Sequence, residues 1–203
     1  MRCVATWVSS ATSSGRAPDV AKLIDLVADP ASELPAEARP VLAVIAESLQ
    51  SVHAKIAVLD REIAARAKAD PVAKRLMTIP GVGPVVATAL VALAPPASTF
   101  RRGRDFAAWL GLTPKQHSSG GKERLGRTSK MGERSLRRLL ILGASSAASH
   151  AARKGSSGSP WLMGMLARKP RMLVTVALAN KMARIVWALM AHGGFYRAPA
   201  AAM

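Results

Sequence analysis

Two adjacent serines, Ser118 and Ser119, stand beside Gly120 and Gly121 and are surrounded by Lys115, His117, Lys122, Arg124, Arg127 and Lys130. A hydroxyl that attacks a phosphodiester needs exposure, cations to hold the phosphoryl oxygens, and a backbone that can come close to the strand. Ser119-Gly120-Gly121 can supply all three. The competing reading is that the serines are ordinary loop residues and the cations only bind phosphate. His117 has the chemistry of a general base, but a lone His in a polar loop is read as a surface residue. The stretch 112–132 that holds them is polar, glycine-rich and long for a connector between two apolar segments.

A second phosphate-binding pattern is Ile79-Pro80-Gly81-Val82-Gly83-Pro84, set between two short helix-forming stretches. It resembles a helix-hairpin-helix. Gly81 and Gly83 would let backbone N–H groups approach a phosphate, and the following helix N-terminus would add partial positive charge. Such a grip positions DNA without reading its sequence, although any tight helix-helix turn can use Gly and Pro. Further cations are Arg101, Arg102 and Arg104, at the start of a helix expected over 100–110. Phe106, Trp109 and Leu110 are expected to face inward there. Another helix, expected over 133–153, offers Arg134, Arg137 and Arg138 to DNA and buries Leu136, Leu139, Leu140, Leu142 and Ala147.

The distribution of charge sharpens this picture. The formal net charge is +17, yet residues 1–70 hold nine acids against eight Lys and Arg, so the first third is nearly neutral. Residues 71–203 hold 21 Lys and Arg against Asp105, Glu123 and Glu133 alone. A field of that sign belongs with a polyanion. The three acids are better explained by pairing with neighbouring cations than by a metal site, so no metal is expected in this chain. The single Cys3 cannot close an intramolecular disulfide and no charged-then-apolar leader opens the chain, so a cytoplasmic setting is expected. The apolar stretch 172–190 carries Asn180, Lys181 and Arg184 in its middle, which argues for a core helix and against a membrane partner. Trp161 and Trp187, set among Leu, Met and Ile, are read as core.

The elements that must position these groups read as all-α, given abundant Ala and Leu and no alternating Val and Ile runs. Residues 1–35, rich in Ser with Gly15 and Pro18, are expected to be poorly ordered. A long helix follows over 36–70, where Leu42, Ile45, Leu49, Val52, Ile56, Leu59 and Ile63 recur in steps of three and four. This heptad seam, 42–63, would be satisfied by a second copy in a homo-oligomer or by another helix of its own chain. Asp70 and Pro71 restart the chain as N-cap and first helical residue. A compact helical bundle then spans 71–192, with a loose tail over 193–203.

The motifs also occur in a telling order: the Ile79 to Pro84 turn, then Phe106-Ala107-Ala108-Trp109-Leu110-Gly111-Leu112-Thr113-Pro114, then His117-Ser118-Ser119-Gly120-Gly121-Lys122. Ser129-Lys130-Met131-Gly132 and Leu136-Arg137-Arg138-Leu139-Leu140 follow. Over about 71–192 this resembles the C-terminal domain of IS110- and IS116-type insertion-sequence transposases of the DEDD group. The resemblance implies a DNA partner, a role in transposition and recombination, and Ser119 as the DNA nucleophile with Ser118 as the fallback. It implies a covalent phosphoserine link, with Lys122, Arg124, Arg127 and Lys130 as phosphate clamps. Some relatives use a guide-like RNA, so a structured RNA is a further partner it suggests. Family members begin with a nuclease-like domain whose three aspartates and one glutamate hold Mg²⁺. Nothing before Ala36 fits it, and Asp19, Asp25 and Asp29 read as solvated charges. The expectation is therefore a truncated copy or one piece of a split gene, with no cofactor of its own. The alternative function is a non-catalytic DNA- or RNA-binding remnant.

Overall fold

The computed structural model describes residues 24–25, 27–29, 31, 34–117, 121–122, 124–154 and 159–197. The chain divides into two compact units, 1–62 and 63–203, which are treated separately.

The first unit is dominated by α1, Arg39–Ala69, a helix of 31 residues. Its run without Gly or Pro after Pro40 permits that length. The helix starts three residues later than its apolar pattern suggests, because 36–38 form a turn. Four seam residues, Ile45, Val52, Ile56 and Leu59, are between 48% and 55% exposed. By length and composition α1 and a second helix, Arg171–His192, could each cross a membrane. The second is instead the core helix of its unit, with seven residues buried along it.

In the second unit, after the last turns of α1, Asp70 caps α2, Pro71–Leu76: its Oδ1 accepts the N–H groups of Val72 and Ala73 at 2.7 and 2.8 Å. Pro71 occupies the first helical position, where its missing donor costs nothing. The glycine turn leads to α3, Pro84–Leu93. A 3₁₀ turn, Ala97–Thr99, precedes α4, Gly103–Trp109. This helix begins later than 100 because Phe100 is extended and packs its ring on Phe106 and Trp109, with centroids 5.3 and 5.8 Å away.

The polar stretch after α4 holds strands that the all-α reading omitted. Pro114–Gln116 (β1) and Leu125–Thr128 (β2) pair antiparallel, with Pro114 opposite Thr128, Gln116 opposite Leu125 and an irregular register between them. Seven-residue and longer apolar periodicities reveal helices, whereas this short ribbon has no buried face to print a period of two. The rest is helical: α5, Arg134–Lys154; α6, Pro160–Arg168; and α7, Arg171–His192.

Helix α7 is the axis of the core and packs against α5, α4, α2 and α6. Phe106, Leu76, Ile79, Leu90, Leu110, Leu136, Leu140, Met182 and Val186 are all essentially buried. On α5 the buried stripe is Leu136, Leu140, Ala144, Ala148 and Ala151, a step of four and then three. Leu142, expected inside, is 57% exposed, and Ala144 and Ala148 take the core positions. Small residues win there because α5 lies close against its neighbours. Past α7, Tyr196 donates its backbone N–H to Thr78 Oγ1 at 3.0 Å and packs on the core. The start of the segment expected to be loose is therefore docked.

Candidate nucleic-acid interface

The ribbon is braced at its base by backbone contacts that only glycine allows. Gly111 and Gly132 have φ of +70° and +91°. A Cβ on Gly132 would lie 1.8 Å from Trp109 O, and one on Gly111 would lie 2.1 Å from Met131 O. Lys130 also has positive φ, 53°, and donates its N–H to Gly111 O at 3.1 Å, while Ser129 N–H donates to Thr113 O at 2.8 Å. Arg137 completes the brace: its Nη1 donates to Leu110 O at 3.0 Å and to Met131 O at 3.4 Å. A cation at the carbonyl end of α4 is where its charge is favoured. This residue was read as a DNA contact; in the structure its guanidinium ties α4, α5 and the ribbon together.

Farther out, His117 N–H donates to Arg124 O at 2.8 Å, and the His117 ring lies over Gly126, where a Cβ would come within 2.8 Å of Nε2. Ser118, Ser119, Gly120 and Glu123 lie outside the described residues. In sequence they stand between the two strands.

Lys115, Lys122, Arg124, Arg127 and Lys130 are all exposed on or beside the ribbon. Arg134 and Arg138, one turn apart at the start of α5, are exposed as well. Arg101 and Arg102 are exposed ahead of α4, where Arg102 N–H donates to Asp105 Oδ2 at 3.1 Å. Exposed cations of this kind present a surface suited to phosphate oxygens.

The two hairpin glycines separate in role. Gly81, at φ +89°, faces Gly143 of α5 so closely that a Cβ on it would lie 2.4 Å from Gly143 O; the reverse distance is 2.1 Å. Its lack of a side chain serves this internal backbone crossing, which sequence spacing alone does not reveal. Gly83 has nothing within 4 Å of a built Cβ and stands as the N-cap of α3 with no side-chain hydrogen bond. Of these two glycines, Gly83 is the one that leaves open space of the kind that phosphate approach needs.

The described acids of this unit serve helix ends. Asp105 accepts at the start of α4, and Glu133 Oε1 accepts the Ser135 N–H at 2.9 Å at the start of α5. They were read as partners of nearby cations, and capping is their described role. Among the described residues no three His, Cys, Asp or Glu side chains come together to hold a metal ion. The carboxylates of the described residues do not fit the Mg²⁺ site that the resemblance implies.

One feature escaped the sequence reading. A groove of about 1390 Å³ runs beside the base of the ribbon, lined in part by Arg102, Arg104, Trp161, Lys181 and Arg184. Trp161, expected in the core, is 38% exposed, and Lys181 Nζ sits 4.4 Å from its ring centroid. Trp187 matches its expected place more closely: it is half-buried and its Nε1 donates to Ala97 O at 3.1 Å. The signal available was the spacing of Lys181 and Arg184, which puts two cations on one side of an otherwise apolar helix.

Known proteins bear on this geometry. Residues 73–157 match the profile of the Transposase IS116/IS110/IS902 family. A family 20 transposase of Pseudomonas aeruginosa is 46% identical over 187 residues, covering 92% of this chain and 55% of the relative. The transposase for insertion sequence element IS1111A of Coxiella burnetii is 41% identical over 68% of this chain and 38% of its own length. The transposase for IS1328 of Yersinia enterocolitica is 37% identical over 68% of this chain and 42% of its own. The chain spans about half the length of the curated relatives it matches. The matched segment runs from α2 through the glycine turn, the ribbon and α5, and on these likenesses the chain belongs to the IS116/IS110/IS902 transposase family.

Proposed function

We propose that this chain is a DNA-handling part of an insertion-sequence transposase, acting in DNA transposition and recombination. The observation that carries the reading is the braced ribbon with its exposed cations, continued by Arg134 and Arg138 at the start of α5. A ribbon fixed at its base by Gly111, Gly132 and Arg137 holds its charges in register, so phosphate contacts form without a further ordering cost. Gly83 and the N-terminus of α3 add a backbone contact of the helix-hairpin-helix kind.

In this reading Ser119 is the nucleophile. Its Oγ forms a bond to a DNA phosphorus, the P–O bond to a deoxyribose breaks, and the departing hydroxyl takes up a proton. Lys122, Arg124, Arg127 and Lys130 stabilise the phosphoryl charge. The chemistry of Mg²⁺ belongs, on this proposal, to carboxylates other than those described here.

The test is to incubate the chain with end-labelled nicked and branched DNA and to run the products under denaturing conditions. A protein–DNA adduct that is lost in Ser119→Ala and kept in Ser118→Ala is the expected result. An adduct that survives Ser119→Ala removes this residue from the role. DNA binding with no adduct in the unaltered chain supports the non-catalytic reading.

A further inference from the structure

The groove beside the ribbon takes no part in the function proposed above. Its volume, about 1390 Å³, exceeds the roughly 300–1,000 Å³ that encloses a drug-sized ligand, so it suits an extended segment. Its walls are largely apolar, and Trp161, Met172 and Leu173 along it are 38%, 67% and 53% exposed. Arg102, Arg104, Lys181 and Arg184 also line it, and among the described residues no Asp or Glu does. Pro114 and Thr128, the residues paired at the base of the ribbon, form part of the same wall.

We propose that this groove holds an unpaired DNA strand continuing from the duplex gripped at the ribbon, a proposal that rests on the DNA-handling reading. A duplex hides its base faces and offers phosphates outward, so an apolar groove has nothing to gain from it. A strand with open base faces matches both parts of the lining: bases meet Trp161, Met172 and Leu173, and phosphates meet the arginines. The cation–π contact from Lys181 holds the Trp161 ring and keeps a positive charge beside it. An acidic amphipathic helix shares the charge complementarity, but the shared wall with the ribbon places the groove next to the proposed duplex. Deoxyribose also suits an apolar wall better than ribose, whose 2′-hydroxyl asks for polar partners.

The test compares binding of the full chain to a labelled oligothymidine of about 12 nucleotides, its duplex counterpart, oligouridine and an acidic amphipathic peptide. Trp161→Leu changes no charge. It is expected to weaken oligothymidine binding about tenfold and to leave duplex binding within about twofold, with an unchanged thermal melt. Arg184→Gln, at an exposed side chain, is expected to act in the same direction. Unchanged oligothymidine binding in both variants overturns the proposal, as does equal loss for strand and duplex. Tighter, Trp161-dependent binding of oligouridine or of the peptide also overturns it, by assigning the groove to that ligand. Arg127→Ala with Lys130→Ala separates the underlying reading: if duplex binding survives it while Trp161→Leu still costs strand binding, the ribbon assignment fails and the groove assignment stands.

Discussion

At the scale of single residues, the glycines and one arginine carry most of the information. Gly81 crosses the backbone of Gly143 at positive φ, whereas Gly83 sits in extended backbone beside open space. Gly81→Ser is therefore expected to destabilise the fold by about 2–4 kcal/mol, through left-handed strain and overpacking. Gly83→Ser should hold or raise stability by a few tenths of a kcal/mol, since serine is a better N-cap. Thermal melts of the two variants distinguish them, and DNA binding by folded Gly83→Ser then reports on phosphate approach alone. Arg137→Ala should cost about 1–3 kcal/mol, because Leu110 O and Met131 O lose their donor. Arg138→Ala should leave stability within about 0.5 kcal/mol and lower the salt dependence of DNA binding by about one charge. The sequence placed Arg134, Arg137 and Arg138 together as DNA contacts. It could not separate them, because a clamp on two carbonyls 27 and 6 residues away leaves no local pattern.

At the scale of elements, α5 sets the geometry. The glycine turn rests on it at Gly143 and the ribbon base is held to it at Arg137. Six residues along a helix separate these points by about 9 Å, so α5 fixes the spacing of the two proposed phosphate contacts. Its inner stripe is testable: Leu140→Ala should cost about 2–5 kcal/mol, while Leu142→Ala should change little, by denaturant unfolding. The helices were legible because Asp70-Pro71, the glycine turn, Pro160 and Pro170 punctuate long apolar periodicities. The exact inner face of α5 was not. An Ala-rich helix buries small residues against close neighbours, and leucine count misdirects the reading towards Leu142. The ribbon was missed for a related reason, since both strands are short and β1 is exposed throughout.

At the scale of the molecule, one chain combines a nearly neutral first third with a strongly basic remainder. The order of motifs made the family legible, because several short patterns in sequence constrain a fold more than any one of them. The groove was invisible, since Trp161, Lys181 and Arg102 are brought together only by packing of α4, α6 and α7. On α1 the half-exposed Ile45, Val52, Ile56 and Leu59 lead us to expect self-association through residues 42–63. Sedimentation of the unaltered chain and of Ile56→Lys should show an oligomer and a monomer; two monomers at the same concentration would assign the seam elsewhere.

Cations of the ribbon meeting DNA phosphates are the centre of the proposed function. Duplex and branched-DNA affinity of the chain, measured across a salt series and compared with Lys122→Ala/Arg127→Ala/Lys130→Ala, tests it most directly. Tight, salt-sensitive binding is expected, with a log–log slope that falls by about 3 in the triple variant and an unchanged thermal melt. Equal affinity and equal slope in the two proteins would contradict it.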